Sequence, residues 1–353
     1  MEPHPVRVFP RSMWGRRTAA AAAGTAALLL AAALSTAGRP PPPVVTAAGT
    51  LAPRAYFVAH GGALQVLDTT DGTVVARARS GSWTTGAAVA PDGRRAYVVN
   101  GWAGVVTAID TAGGKVVGRI DAGAQLAEAV MRPDGGRLYV TGGDSVAVID
   151  PERFRLVAAI TVGGRPQGIA ISPDGGRLYV ANAQDGTVVV VDTASASPVA
   201  AVEVGGLPQH VAVSPDGSAV YVSSLDVGEG TGTVSEVDPV DHRVRWSAPV
   251  GEGAGNVAVT PDGRRVYVAL DRGVAVLDAD TRASRTLPFA ARALAIAPGD
   301  RRVFLASGDT TTVLDSADDR VLATYRLSGL DDDGRGFEAT TIAFEQPPGA
   351  DRD

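Results

Sequence analysis

Few side chains in this sequence are placed to do chemistry, and the most direct candidates are one glutamate and one histidine. Glu128 and His210 each stand five residues before the proline of a recurring turn motif, so they occupy equivalent positions of a repeat. A carboxylate beside an imidazole can supply a general acid and a general base. Alternatively, the two groups can share a divalent cation such as Ca²⁺ with amide and carbonyl oxygens, or simply line a hydrated channel.

Four further polar residues fall at, or directly before, the same repeat position. Counting back from the turn prolines gives Asn256, and the residues one place earlier include Gln167, Gln209 and Arg292. If this position starts the strand nearest the axis of the repeat array, the four side chains surround one funnel together with the glutamate and the histidine. We therefore expect them to bind a ligand that enters the funnel.

Two tryptophans, Trp83 and Trp102, fall in loops that we expect on the same face as the funnel. Exposed tryptophan beside polar loops is typical of a recognition surface. The alternative is that each indole caps the end of a structural unit. On the first interpretation these two residues bind a partner or ligand.

Composition and missing motifs exclude several function classes. The chain has 353 residues, no cysteine and a net charge of −6, which excludes disulfides and cysteine nucleophiles and argues against nucleic-acid binding. It lacks a Gly-x-Ser-x-Gly elbow, a phosphate-binding loop, a dinucleotide-binding glycine pattern and a His-Glu-x-x-His motif. The acidic run at 331–333 fails the EF-hand pattern, because Gly329 and Thr340 take its first and twelfth ligand positions. No cofactor is predicted, apart from the divalent cation considered above.

The candidate residues are positioned by a repeat of about forty residues, a period typical of propeller blades or helical repeats. An aromatic residue begins an apolar run seven times, at Phe57, Tyr97, Tyr139, Tyr179, Tyr221, Tyr267 and Phe304. Each run ends in an aspartate, at Asp68, Asp110, Asp150, Asp192, Asp238, Asp278 and Asp315. Because an aspartate between a strand and a turn bonds nearby backbone N–H groups, we expect these seven to be structural.

Local composition selects the propeller. The unit over 168–205 divides into four short β-branched runs separated by turn residues, with no helical spacing of apolar residues. Seven such units predict an all-β fold, a seven-bladed β-propeller of four-stranded antiparallel blades spanning 52–346. The first unit lacks an inner strand, and residues 340–344 match it. The C-terminal strand is therefore predicted to complete the first blade and close the ring.

The repeats resemble the YVTN family of bacterial β-propeller proteins. The resemblance covers all seven units and is carried by the tetrapeptides YVVN at 97–100 and YVAN at 179–182, and by the Pro-Asp-Gly turns. By this alignment His60 takes the place of the asparagine, and we expect a structural role for it. The resemblance implies the architecture but no single activity, because similar repeats occur in surface-layer proteins, lactonases, a streptogramin-opening lyase and parts of redox enzymes.

The N-terminal residues have the composition of a targeting segment. Four arginines precede an uncharged, alanine-rich stretch over 18–37, as in an export signal, but a stretch of roughly twenty residues could also stay as a membrane anchor. We expect residues 1–37 to be one or the other, 38–51 to be a proline-rich linker, and 347–353 to be a short polar tail. The protein is therefore expected to be secreted or otherwise extracytoplasmic, with membrane contact only through an uncleaved N-terminal segment.

Three functions follow from these observations. The first is a non-catalytic, monomeric binding or scaffold propeller that recognises a protein, a glycan or a small ligand on the face of Trp83 and Trp102. The second is a lactonase- or lyase-like enzyme that uses Glu128 and His210 at the channel, with or without a divalent ion. The third is an accessory of a redox system, which neither a haem-attachment motif nor a cysteine supports. The missing catalytic signatures favour the first.

Overall fold

The chain folds into seven four-stranded antiparallel sheets, as the repeat count predicts. The computed structural model describes residues 54–327 and 337–345. The predicted export segment at 1–37, the linker at 38–51, the acidic run at 331–333 and the tail at 347–353 lie outside these residues. Within them, no helix has the length and apolar character needed to cross a membrane.

The blades form a closed ring around a central channel, and each contributes one strand to each of four positions. The innermost strands are β28 (Ala339–Phe344), β4 (Thr84–Val89), β8 (Leu126–Met131), β12 (Pro166–Ile171), β16 (Leu207–Val213), β20 (Val257–Val259) and β24 (Ala293–Ile296). The second strands are β1 (Arg54–Ala59), β5 (Arg95–Asn100), β9 (Leu138–Gly142), β13 (Arg177–Asn182), β17 (Val220–Leu225), β21 (Arg265–Leu270) and β25 (Arg302–Ser307). The third strands are β2 (Ala63–Asp68), β6 (Val105–Asp110), β10 (Ser145–Asp150), β14 (Thr187–Asp192), β18 (Thr231–Val237), β22 (Gly273–Asp278) and β26 (Thr310–Asp315). The outer strands are β3 (Val74–Arg79), β7 (Lys115–Asp121), β11 (Arg155–Thr161), β15 (Ser197–Glu203), β19 (Val244–Glu252), β23 (Ser284–Leu287) and β27 (Val321–Arg326).

Blade 1 is assembled from the two ends of the described chain. β28 pairs antiparallel with β1, so that Phe344 lies opposite Ala55 and Thr341 opposite Val58. β28 also contacts the innermost strands of both neighbours, β4 of blade 2 and β24 of blade 7. The predicted closure of the ring by the C-terminal strand is confirmed.

The hydrophobic core consists of seven layers, each between two neighbouring blades. The valine run at 188–191 in β14 is buried along its whole length because blades 3 and 5 cover the two faces of blade 4. The layer between blades 7 and 1 contains Phe57, Phe304 and Phe337. Burial of such side chains stabilises a fold by about 25 cal/mol for each Å² of apolar surface, so the ring is closed by hydrophobic packing as well as by strand pairing.

The register of blade 1 corrects one position of the predicted repeat. Tyr56, rather than Phe57, is equivalent to Tyr179, because Tyr56 lies opposite Ala343 as Tyr179 lies opposite Ala170. The assignment of Phe57 as the repeat aromatic was therefore wrong by one residue. Two aromatic residues stand side by side at this point, and a shift of one residue exchanges the two faces of a strand.

The seven aspartates that end the third strands hold the turns that follow, as predicted. The carboxylate of each accepts a hydrogen bond from a backbone N–H two or three residues later. At Asp238, the N–H groups of Asp241 and Val240 lower the pKa of the carboxyl to about 2, because they stabilise its charged form. These carboxylates are used by the fold.

Candidate functional site

A cleft of about 840 Å³ opens at one mouth of the central channel. We call it the channel-mouth cleft. Its lining comes from blades 1 to 5, in the turns before the innermost strands and in the loops between the second and third strands. A narrower cavity of about 290 Å³ continues along the innermost strands, and Glu128 lines both spaces. Glu128 therefore marks the floor of the cleft.

Glu128 of blade 3 and His210 of blade 5 meet on this floor, although blade 4 stands between them. Oε2 of Glu128 lies 3.4 Å from Nδ1 of His210. The same oxygen accepts a hydrogen bond of 3.1 Å from the backbone N–H of Ile169 in β12. The side chains remain 29% and 31% exposed, so a molecule in the cleft can reach both. The sequence placed the two residues at equivalent positions, and the structure brings them into contact.

Gly168 allows this contact across blade 4. It occupies the repeat position of Glu128 and His210 but carries no side chain, so the carboxylate passes over it. A Cβ atom at Gly168 would lie 2.6 Å from Cα of His210 and 2.6 Å from the carbonyl oxygen of Gln209. Both are backbone atoms, so a side chain at this position would force β12 and β16 apart.

Two buried hydroxyl groups hold the backbone behind the pair. Oγ1 of Thr141 accepts from the N–H of Glu128 at 3.0 Å and donates to the carbonyl oxygen of Gln167 at 2.7 Å. Oγ of Ser223 accepts from the N–H of His210 at 3.3 Å and donates to the carbonyl oxygen of Gly255 at 2.7 Å. Each hydroxyl therefore ties the inner strand of its own blade to that of the next.

These hydroxyls occur in the two blades that carry the polar pair. Thr141 and Ser223 stand two residues after the repeat tyrosines of blades 3 and 5. At the same position the other five blades have the apolar residues Val58, Val99, Ala181, Ala269 and Ala306. The innermost strands also lose regular register beside both residues, between Leu126 and Ala129 and between Pro208 and His210. Such irregularities redirect side chains, and here they lie where the glutamate and the histidine turn into the cleft.

Nδ1 of His210 has two neighbours with opposite requirements. Glu128 would accept a proton from Nδ1, whereas Nδ2 of Asn256, 3.3 Å away, would donate to an unprotonated Nδ1. The tautomer of the imidazole and the orientation of the Asn256 amide are therefore coupled. With Nδ1 protonated, Nε2 is left as a hydrogen-bond acceptor or base for a molecule in the cleft.

An aromatic wall, formed by His60, Trp83 and Trp102, stands on the side of the cleft contributed by blades 1 and 2. The rings of His60 and Trp83 meet edge to face with centroids 4.9 Å apart, and those of Trp83 and Trp102 lie 6.4 Å apart at 40°. Trp83 is 57% exposed and Trp102 is 86% exposed. These exposures support a recognition role rather than the alternative in which both indoles are buried as caps.

Three residues on the rim share a left-handed backbone conformation. Trp83, Gln125 and Arg165 have φ angles of 62°, 55° and 55°, and each stands three residues before the axial position of its blade. This conformation costs a non-glycine residue roughly 1–2 kcal/mol, and such costs concentrate at ligand-binding positions. Three large side chains are therefore held at the cleft where glycine would be less strained.

The structure brings most of the predicted site residues together, with one exception. Gln167 and Gln209 line the cleft, and Asn256 contacts the imidazole of His210. Arg292 is exposed and is not among the described residues that line the cleft. It comes from blade 7, whereas the lining ends at blade 5, so the equal repeat offset did not bring it into the cleft.

Three lining residues were missed as ligand contacts from the sequence. Gln125 and Arg165 stand at the same offset as Trp83, and this offset was the available signal. His60 was assigned to the asparagine position because of the shifted alignment of blade 1; the asparagine equivalent is Ala59. His60 instead corresponds to Gly101, another lining residue.

The cleft lining carries little net charge. Among the lining residues within the described ranges, Glu128 and Arg165 are the ones with a permanent charge, and these charges are opposite. No group of three His, Asp or Glu side chains in the described part of the chain comes together as metal ligands do. The divalent cation considered from the sequence stays a prediction.

Comparison with known proteins supports the fold alone. No protein-family model and no curated protein matches the chain. Among solved structures, it is similar to hydrazine synthase of Kuenenia stuttgartiensis, with a TM-score of 0.62 and 22% identity, covering 71% of this chain and 90% of that one. It is also similar to a functionally unknown protein from Desulfotomaculum acetoxidans DSM 771, with a TM-score of 0.67 and 18% identity, covering 83% of this chain and 99% of that one. Likeness at this level of identity carries no function.

Proposed function

We propose that this protein is a binding propeller whose ligand occupies the channel-mouth cleft. The observation that carries the proposal is the contact of Glu128 with His210, 3.4 Å apart, on the floor of a cleft walled by exposed Trp83 and Trp102. Ligand sites typically combine an apolar or aromatic lining with a few convergent polar groups in a recess of about 300–1,000 Å³. This cleft has that combination and falls within that size.

The support extends to the backbone. Thr141, Ser223 and Gly168 fix the inner strands around the pair. A site that must present two polar groups in fixed positions needs support of this kind. We further propose membership of the YVTN propellers, from the tetrapeptides, and an extracytoplasmic location, from the composition of residues 1–37.

The test is binding by the full chain, followed by tryptophan fluorescence and by the thermal midpoint, over a panel of neutral, anionic and cationic metabolites and divalent ions. A ligand of the native state raises the midpoint by mass action. We expect Trp102→Ala and Glu128→Gln each to weaken its binding by at least about tenfold, as residues central to an interface do.

Matched controls are available on the opposite face. Val240 is 82% exposed in a turn between β18 and β19, and Glu152 is exposed in the turn after β10. Val240→Ala and Glu152→Gln should leave the affinity unchanged. A ligand whose affinity changes as much in the controls as in the cleft variants would place the site elsewhere.

A second candidate function is catalysis, and the same contact favours it. A carboxylate that holds Nδ1–H of a histidine leaves Nε2 free to act as a base. This is the lactonase- or lyase-like alternative, with Glu128 and His210 as acid and base. Because unliganded catalytic contacts are often long, a separation of 3.4 Å is compatible with it.

Turnover decides between the two functions. If the protein converts a bound lactone or ester, His210→Ala should abolish conversion with little change in the thermal midpoint, since the imidazole is 31% exposed. If binding is found and no bound compound is converted, the non-catalytic function stands. Full activity of His210→Ala on a turned-over substrate would remove the histidine from the mechanism.

A further inference from the structure

We propose that the ligand of the channel-mouth cleft is an uncharged, polyhydroxylated ring, the end unit of a neutral oligosaccharide. The inference rests on the proposed binding function and assigns a chemical class to its ligand. It is drawn from the charge balance of the lining, from the aromatic wall and from the free hydrogen-bonding groups around the floor.

The charge balance excludes strongly ionic recognition. Of the permanently charged side chains in the lining, the Glu128 carboxylate faces His210 and Ile169, and the Arg165 guanidinium stands on the rim of the neighbouring blade. A site for a cation needs more than one carboxylate to repay desolvation, and a site for an anion needs several convergent cations. The cleft offers one of each sign, so a neutral ligand loses least on entering it.

The aromatic wall requires a ligand with a flat apolar face. At 86% exposure, the indole of Trp102 presents its ring to solvent in the free protein, and covering it removes apolar surface from water at about 25 cal/mol for each Å². The C–H groups on one face of a pyranose ring form such a surface, and they meet the negative face of the indole with their positive ends. A small polar molecule without an apolar face would leave this wall wet.

The polar lining complements hydroxyl groups. The Gln125 and Gln167 amides, the Thr85 hydroxyl and Nε2 of His210 together provide both donors and acceptors. A carboxylate oxygen of Glu128 accepts from a hydroxyl with the strength of a charge-assisted bond. A ring with several hydroxyl groups can pair with groups of both kinds at once, which a hydrocarbon or a simple lactone cannot.

The depth of the cleft indicates that the ligand enters by one end. The wide space closes at Glu128, and the narrower cavity beyond it is lined by the apolar inner-strand residues 129–131 and 169–171. Polar groups therefore end at the floor, while the aromatic wall stands nearer the solvent. A chain end placed with its terminal hydroxyl groups on Glu128 and its next ring on Trp102 uses both.

The experiment is calorimetric titration of the full chain with maltotriose, cellotriose and chitotriose as neutral probes, and with choline and glucose 6-phosphate as charged probes. We expect one of the neutral trisaccharides to bind, and tryptophan fluorescence to change with it. Trp102→Ala should weaken binding by at least about tenfold, about 1.4 kcal/mol, while Val240→Ala should not. Thr85→Val, which removes one hydroxyl from the lining, should weaken binding of the sugar.

Two outcomes overturn the assignment, and they are distinguishable from failure of the proposed function. Binding of choline or glucose 6-phosphate in the cleft, lost in Trp102→Ala, would show that the site takes a charged ligand while confirming that the cleft binds. Silence of all three trisaccharides, with a protein or another metabolite bound at the same variants, would equally reject the glycan. Silence of every probe in this panel and in the wider metabolite panel would reject both proposals.

Discussion

Trp83 shows at the scale of one residue how the cleft is maintained against local preference. Its φ of 62° places a bulky side chain in a conformation that glycine adopts freely. Its backbone is fixed by hydrogen bonds on both sides, since its N–H donates to the carbonyl oxygen of His60 and its own carbonyl oxygen accepts from Gly101. The indole is therefore held over the cleft by a turn that would be more stable with another residue.

We expect Trp83→Gly to be more stable than Trp83→Ala by about 1 kcal/mol, because glycine relieves the left-handed strain and alanine keeps it. Both variants should lose ligand affinity. Urea unfolding of the two proteins measures the difference in the free energy of unfolding.

The control for strain without function is Ala196→Gly. Ala196 has a φ of 51° and is exposed in the turn after β14, on the face opposite the cleft. It should gain up to about 1 kcal/mol with no change in binding. If Trp83→Ala were as stable as Trp83→Gly, the left-handed conformation would carry no cost and the argument from strain would fail.

At the scale of elements, the innermost strands β8, β12 and β16 build the site by alternating side chains with glycine. Gly86 and Gly168 back directly onto the backbone of the following blades, at Glu128 and at His210. The absence of a side chain brings neighbouring strands close enough for the carboxylate to cross one blade. A ring with a side chain at every axial position would hold the same two residues apart.

Gly168→Ala should therefore destabilise the fold by about 1–3 kcal/mol, the usual cost of overpacking, and weaken ligand binding by separating β12 from β16. Thermal unfolding and the binding titration together measure this. Gly255→Ala is the matched control at the mouth of blade 6, because a Cβ there would meet its nearest atom at 3.6 Å, an ordinary contact. Equal destabilisation by both substitutions would contradict the role of Gly168.

The sequence was sufficient for the blades and for the axial positions, but not for the arrangement around the pair. Hydrophobic pattern and turn motifs repeat in every unit, so strand count, ring closure and the equivalence of Glu128 with His210 follow from periodicity. Whether two equivalent residues two blades apart touch depends on what stands between them, and only the packing at Gly168 shows that they do. Periodicity also cannot choose between adjacent aromatics, hence the one-residue error at Tyr56.

At the scale of the whole molecule, the ring is closed by a carboxyl group as well as by β28. The Tyr56 hydroxyl donates to Oε1 of Glu345 at 2.7 Å and lies 3.2 Å from the carbonyl oxygen of Gly93 in the turn of blade 2. Burial raises the pKa of Glu345 above its ordinary value, since it disfavours the charged form. The closure therefore contains a group that is easier to bury protonated.

This predicts a pH dependence with a definite sign. A carboxyl group whose pKa is higher in the folded than in the unfolded chain contributes stability that is complete below the unfolded pKa and is lost as pH rises through the folded one. Compared with Glu345→Gln, the wild-type protein should thus lose stability as pH rises above about 4.5, the ordinary value for this group. Thermal midpoints of both proteins from pH 4 to pH 8 measure the difference.

Tyr56→Phe sharpens the comparison, because it removes the hydroxyl that donates to the carboxylate. The loss with rising pH should then be larger than in the wild type. A wild-type protein that gains on Glu345→Gln over the same pH range would show that the carboxylate, rather than the carboxylic acid, closes the ring.

The pairing of β1 with β28 also determines how the molecule can be handled. Because the two strands are antiparallel, Arg54 and Glu345 lie at the same end of blade 1, while β1 runs from there to His60 at the cleft. An affinity tag, a fluorescent protein or a surface linkage joined directly at either of these points starts on the far side of the ring. Immobilised through either end of the propeller, the protein would present its cleft to the bulk solution, as the receptor layer of a biosensor must.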